Sequence, residues 1–228
     1  MEPYYILKTK TYTTVPRLSS AQQLALGERD DQPIVELKLI TEPLIEGYDK
    51  YKMTSENIEK ITGRAYGRND EFEQFISIRY SDVYYSTNTS CLYFHSKKSL
   101  FNQFEKTFNK SVELTYNKVN IDFKNIIDNQ NALDIKGIWF GNLLDTNVKS
   151  LLLMGNKVEE SSKYQDLLTE GTVTNITLIY NYNGKNLKIM ITKDGGIIFY
   201  DKINETDALT ALDYIYMNLI TPAMTSVS

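Results

Sequence analysis

A single cysteine and a single histidine, Cys91 and His95, stand in this sequence, and their scarcity excludes much chemistry at once. One cysteine forms no internal disulfide, which fits a reducing compartment and leads us to expect a cytoplasmic protein. One cysteine and one histidine do not build a zinc site. On a strand the two share a face but sit roughly 13 Å apart, too far for a Cys–His catalytic pair. No serine lies in a Gly-x-Ser-x-Gly elbow, and any serine triad would depend on that one histidine. Glycine-rich phosphate loops of either standard spacing are missing. No run of 18 apolar residues occurs, so no membrane helix is expected and no membrane partner. The start, "MEPYYILKTKTYTTV", carries an acid at position 2 and does not read as a secretory signal. We therefore expect no cofactor and no metal in the main reading.

An excess of basic charge is also lacking. The net charge is −4 over 228 residues, which gives no global field for nucleic acid. The distribution is uneven: residues 1–59 carry net −3, residues 60–124 net +3 and residues 125–228 net −4. The middle segment thus offers a local basic surface. The richness in Lys, Asn, Ile and Tyr suggests an AT-rich genome, and the lack of any catalytic signature fits an accessory protein of a bacterium or phage.

What is present is mostly strand. "YYILKTKTYTTV" alternates and is rich in β-formers. "SSAQQLALG" reads as a short helix from Ser19 or Ser20 to Gly27. "IVELKLI" is a strand opened by Pro33, followed by a loop or edge segment through "YDKYKM". "TSENIEKITGRAYG" suggests a helix capped by Thr54 or Ser55 and stopped by Gly63. A hairpin over "EQFISIRYSDVYYSTNTSCLYFHS" turns at "STNTS". Helix "KSLFNQFEKTFNK" places Leu100, Phe101, Phe104 and Phe108 on one face. Later, "IKGIWF" and "VKSLLLMG" read as strands, and "EESSKYQDLLTEG" as a helix ended by Gly171. A meander turns at Asn183-Gly184 and Asp194-Gly195-Gly196. A last helix is capped by Asn204, with Leu209, Leu212, Tyr216 and Leu219 as its buried stripe.

These elements imply an α+β fold, mostly antiparallel, with helices packed on one face of the sheet. The hairpin–helix pattern occurs twice, which divides the chain into an N-terminal half over 1–120 and a C-terminal half over 121–228. Low complexity does not separate the halves.

Two constellations carry chemistry. Glu36-Leu37-Lys38 on a strand is half of a metal-dependent nuclease site: Glu36 would bind Mg²⁺ or Mn²⁺ and Lys38 would orient the attacking hydroxide from the same strand face. Such a site needs a second acid, and Glu28, Asp30 and Asp31 are the candidates. Asp31 lies roughly 16 Å along an extended chain from Glu36, so a turn near Pro33 would be required. The plainer reading makes Glu36 and Lys38 the outward residues of a half-exposed strand. The second constellation is "TGRAYGRND" with the following helix start: Arg64, Arg68, Lys97 and Lys98 as phosphate contacts, and Tyr66, Tyr84, Tyr85 and Tyr93 as stacking groups. The competing reading packs those tyrosines against the Phe-rich helix. Trp139, between Gly137 and Gly141, is either a core anchor or a partner contact. The leading expectation is a non-enzymatic interaction protein with a protein partner, self-association or a nucleic acid as its contact. The nuclease is the alternative.

Overall fold

The computed structural model of the protein describes residues 2–20, 33–60, 63–64, 71–72, 74–109, 111–129, 134–145 and 147–224. In chain order the elements are β1 (Tyr4–Tyr12), β2 (Arg17–Ser19), β3 (Val35–Ile45), β4 (Tyr48–Glu59), β5 (Gly63–Arg64), β6 (Glu71–Phe72), β7 (Phe75–Ser86), β8 (Cys91–His95), α1 (Lys98–Phe108), β9 (Leu114–Lys118), α2 (Phe123–Asn129), β10 (Asp134–Gly141), β11 (Ser150–Met154), α3 (Ser162–Glu170), β12 (Thr172–Tyr182), β13 (Lys185–Thr192), β14 (Gly196–Phe199) and α4 (Glu205–Ile215). A π-turn over Tyr216–Ile220 continues α4.

One antiparallel sheet runs through both halves, in the order β11-β10-β12-β13-β14-β1-β8-β7-β4-β3-β2. β1 is the seam. Its start pairs with β14 on one side and β8 on the other, and β9 takes over from β14 along its second part. Both β8 and β14 run antiparallel to β1, so they are parallel to each other. Each ends a meander and each is followed by a helix, α1 or α4.

Those helices lie on opposite faces, which corrects the expectation of one covered face. Successive strand residues point to opposite sides. On β8, Phe94 meets Phe101 and Phe104 of α1, while its neighbour Tyr93 donates to Asp213 of α4. Accordingly the interior divides into two clusters. One holds α1 against Tyr5, Leu7, Val83, Leu92 and Phe94. The other gathers α2, α3 and α4 against Ile6, Tyr93, Ile138 and Ile189. A sheet this wide needs cover on both sides of its seam, and two amphipathic helices from one face could not supply it.

Local chemistry explains most of the elements. Asn204 caps α4 by accepting from the Asp207 N–H at 2.8 Å, and Ser161 caps α3 in the same way at 3.2 Å. Asn183 and Gly184 both have positive φ, the geometry that matches a two-residue turn to the twist of β12 and β13. The helix expected from Thr54 is instead the second half of β4. Tyr51, Met53 and Ser55 are buried in alternation, and a period of two outweighed the capping signal of Thr54 and Ser55. The "YDKYKM" loop is the first half of the same strand. Of the helix expected from Ser19 or Ser20 to Gly27, Ser19 closes β2 and Ser20 accepts from the Val35 N–H at 2.8 Å, while residues 21–27 lie outside the described residues.

α4 is tied to the sheet by a buried carboxylate. Asp213 is 5% exposed and accepts from the Tyr48 and Ser86 hydroxyls on Oδ2, at 2.8 and 2.9 Å, and from Thr89 and Tyr93 on Oδ1, at 3.0 and 2.6 Å. Asn88 adds an amide at 3.3 Å. Hydroxyl donors here do the work that a cation would otherwise do. Burial first, with the Asp213 carboxylate among the further causes, raises the Tyr48 and Tyr93 phenols far above the ordinary tyrosine range.

Candidate interaction surface

Glu36 and Lys38 lie on β3 between β2 and β4, on the face away from α1, while Val35 and Leu37 point into the α1 core. Cross-strand, Glu36 stands between Ser19 and Thr54, and Lys38 between Arg17 and Lys52. The Glu36 carboxylate accepts from Arg17 Nε at 2.7 Å. No carboxylate faces either residue directly across the ladder. Glu28, Asp30 and Asp31 lie outside the described residues. Among the described residues no group of three His, Cys, Asp or Glu side chains is arranged to hold a metal ion. The triplet as seen is an amphipathic strand whose outer acid is neutralised by a guanidinium.

The expected nucleic-acid residues are described only in part. Arg64 sits in the small β5–β6 ribbon, with Glu71 as its cross-strand partner; Arg68 lies outside the described residues, as does Tyr66. Lys97 is exposed at the N-cap of α1, and Lys98 is ion-paired with Asp194. Tyr84 and Tyr93 are buried, their hydroxyls bound to Glu205 and Asp213. Tyr85 is stacked on Tyr12 with ring centroids 3.5 Å apart. Tyr84 and Tyr93 thus pack as strand residues on the α4 face and not against the Phe-rich helix α1; only Tyr85 lies on the α1 side.

The surface that sequence reasoning passed over is the far end of the β4–β7 ribbon. Both strands are twelve residues long and pair in unbroken register from Tyr48↔Ser86 to Glu59↔Phe75. β3 follows β4 only as far as Val35↔Ser55, and β8 follows β7 only as far as Asp82↔His95. Among the described residues the ribbon therefore outruns its neighbours. On the face away from α1 it presents Ile58, Ile76, Ile78 and Tyr80, exposed by 46, 44, 50 and 59%. Four large apolar side chains on one short ribbon face form a patch, unlike scattered surface apolar residues. Their alternation with Ser77, Arg79 and Ser81 is visible in "FISIRYS", but sequence alone does not show which neighbours end early.

On the face of this patch Lys52 pairs with Asp82 at 3.0 Å and Lys50 with Glu205 at 2.6 Å, while Arg79 pairs with Glu59 at 2.9 Å on the opposite face of the ribbon. Glu205 titrates below its ordinary range: burial raises it, and the hydrogen bonds from Lys50 and Tyr84 more than offset that. Lys38 is exposed beside them with no carboxylate partner among the described residues.

A second recess opens farther along this face, at the β1–β8 seam. It has a volume of about 530 Å³ and is lined by Glu2, Tyr4, His95, Phe199 and Lys202, among others. His95 stacks on Tyr4 at 4.4 Å. Burial lowers its pKa, while Glu2, Asp82 and Glu205 pull it back up. Its strand neighbour Cys91 is buried, with its thiol pushed up to about 11 chiefly by burial, so that sulfur is held as the unreactive thiol.

No protein-family model matches this chain, and no curated protein is significantly similar to it in sequence.

Proposed function

We propose that the protein works by contact, as a non-enzymatic interaction protein, and that the outer face of the β4–β7 ribbon is its contact surface for a partner protein. The observation that carries this reading is the row of Ile58, Ile76, Ile78 and Tyr80 on a ribbon that projects past β3 and β8. Apolar anchors ringed by satisfied charges are the anatomy of a protein interface. A phosphate backbone instead calls for cations free to release counterions, whereas Arg17, Lys50, Lys52, Arg79 and Lys98 each already hold a carboxylate. Protein is therefore preferred to nucleic acid as the partner class. The metal-dependent nuclease built on Glu36 and Lys38 is weaker still, because Glu36 is engaged by Arg17.

The test is a photo-crosslinking amino acid placed at Ile78, with a control at Thr210 on the exposed side of α4, in cells that carry the protein. The reading expects a discrete protein adduct at 78 that disappears with Ile76→Glu. Equal adducts at both positions would sink it. Retention of DNA or RNA by the pure protein on filters, lost in Arg64→Ala/Arg68→Ala, would transfer the function to nucleic acid. Mg²⁺- or Mn²⁺-dependent cleavage abolished by Glu36→Ala would revive the nuclease.

A further inference from the structure

Among the described residues the sheet ends in two edges of opposite character. β2 is three residues long and begins with Arg17 directly after Pro16, and its register with β3 runs from Arg17↔Lys38 to Ser19↔Glu36. Short length, a charge and a proline are the devices that keep an edge from pairing with another chain. β11 has none of them. "SLLLM" is uncharged and free of proline, and its register with β10 is regular from Gly137↔Met154 to Gly141↔Ser150. Among the described residues no strand pairs with its outer side. Leu151 and Leu153 point into the core. Leu152 and Met154 point to the opposite face, exposed by 38 and 72%.

We infer that β11 is the self-association edge of the protein, pairing antiparallel with β11 of a second copy about a two-fold axis. The sequence is complementary to itself in the register centred on Leu152. Leu152 then faces Leu152, Leu151 faces Leu153, and Ser150 faces Met154, so core-facing leucines meet core-facing leucines. Lys149 falls opposite Gly155, so no like charges face each other across the pair. The interface is isologous and closed. The blunted β2 edge at the far end of the sheet stops further growth, so the product is a dimer. This surface is separate from the β4–β7 ribbon, and either assignment can fail without the other.

Trp139 reports on it. It is the only tryptophan, lies half-buried on β10, and is the cross-strand partner of Leu152. Sedimentation equilibrium and tryptophan emission are to be followed over a wide range of protein concentration. The expected result is a monomer–dimer equilibrium, with emission shifting to the red on dilution. Met154→Lys, at a site exposed enough to leave the fold intact, should weaken dimerisation about tenfold or more, and Leu152→Lys should do the same. Ile78→Glu should leave the dimer unchanged. A wild-type chain that is monomeric at every concentration, assemblies larger than a dimer, or a Met154→Lys variant that dimerises like the wild type would each overturn the assignment. Far-UV circular dichroism of the variants confirms that the fold is kept.

Discussion

The hydroxyl of Tyr93, in the centre of β8, donates to Asp213 of α4 across 120 residues of sequence at 2.6 Å. That contact binds the last helix to β8, near the seam of the sheet. Asp213 also collects Tyr48 from β4, Ser86 from the end of β7, and Asn88 and Thr89 from the β7–β8 turn. Removing the carboxylate leaves these donors buried without an acceptor. Asp213→Ala should therefore cost about 3–5 kcal/mol, as for breaking other buried charged networks, and Tyr93→Phe about 1.5–3 kcal/mol. Urea unfolding measures both. A loss under about 1 kcal/mol for Asp213→Ala would contradict the network's role.

The ribbon patch predicts a separation between stability and binding. Ile78→Ala changes an exposed side chain and should alter stability by no more than about 0.5 kcal/mol. Phe104→Ala, in the α1 core and fully buried, should cost about 3–5 kcal/mol. Thermal melts of the two variants compare them directly. An Ile78→Ala variant as unstable as Phe104→Ala would mean that the patch is part of the core.

Cys91 predicts a pH dependence. Its folded pKa is raised to about 11, so the folded state favours the neutral thiol. The stability this contributes is complete below the unfolded pKa of about 8.5 and is lost as pH climbs towards 11. Replacing Cys91 with Ala should flatten that part of the stability curve. The wild-type thiol should react with an alkylating reagent only as fast as the protein opens, and fully in urea. Rapid alkylation of the native protein at neutral pH would contradict its burial.

Two glycines with positive φ should respond differently to alanine. At Gly195, φ is +77° and an added Cβ would lie 2.9 Å from Val119 Cβ, so the substitution brings both backbone strain and a steric clash. At Gly184, φ is +75° with nothing nearby, leaving strain alone, of about 1–2 kcal/mol. Gly195→Ala should thus be the more destabilising of the two by chemical denaturation; equal effects would show that Val119 gives way freely.

Local pattern was enough for much of this molecule. The alternation in β1 and β3, the Phe stripe of α1, the cap of α4 and the Asn183-Gly184 turn all arise from contacts within a few residues, which sequence displays directly. The reading of Glu36 and Lys38 as outward residues of one strand face also followed from a period of two. The strand over Thr54–Glu59 was masked by a capping motif, because the partner that stabilises it, β7, is supplied from beyond the intervening segment. Tertiary structure alone decided that α1 and α4 cover opposite faces, that β3 and β8 stop short of the ribbon's end, and that β11 is left as an edge. Each depends on where distant strands begin and end beside one another. A side chain's periodicity fixes which way it points, but whether anything lies there to cover it is settled only when the whole sheet has assembled.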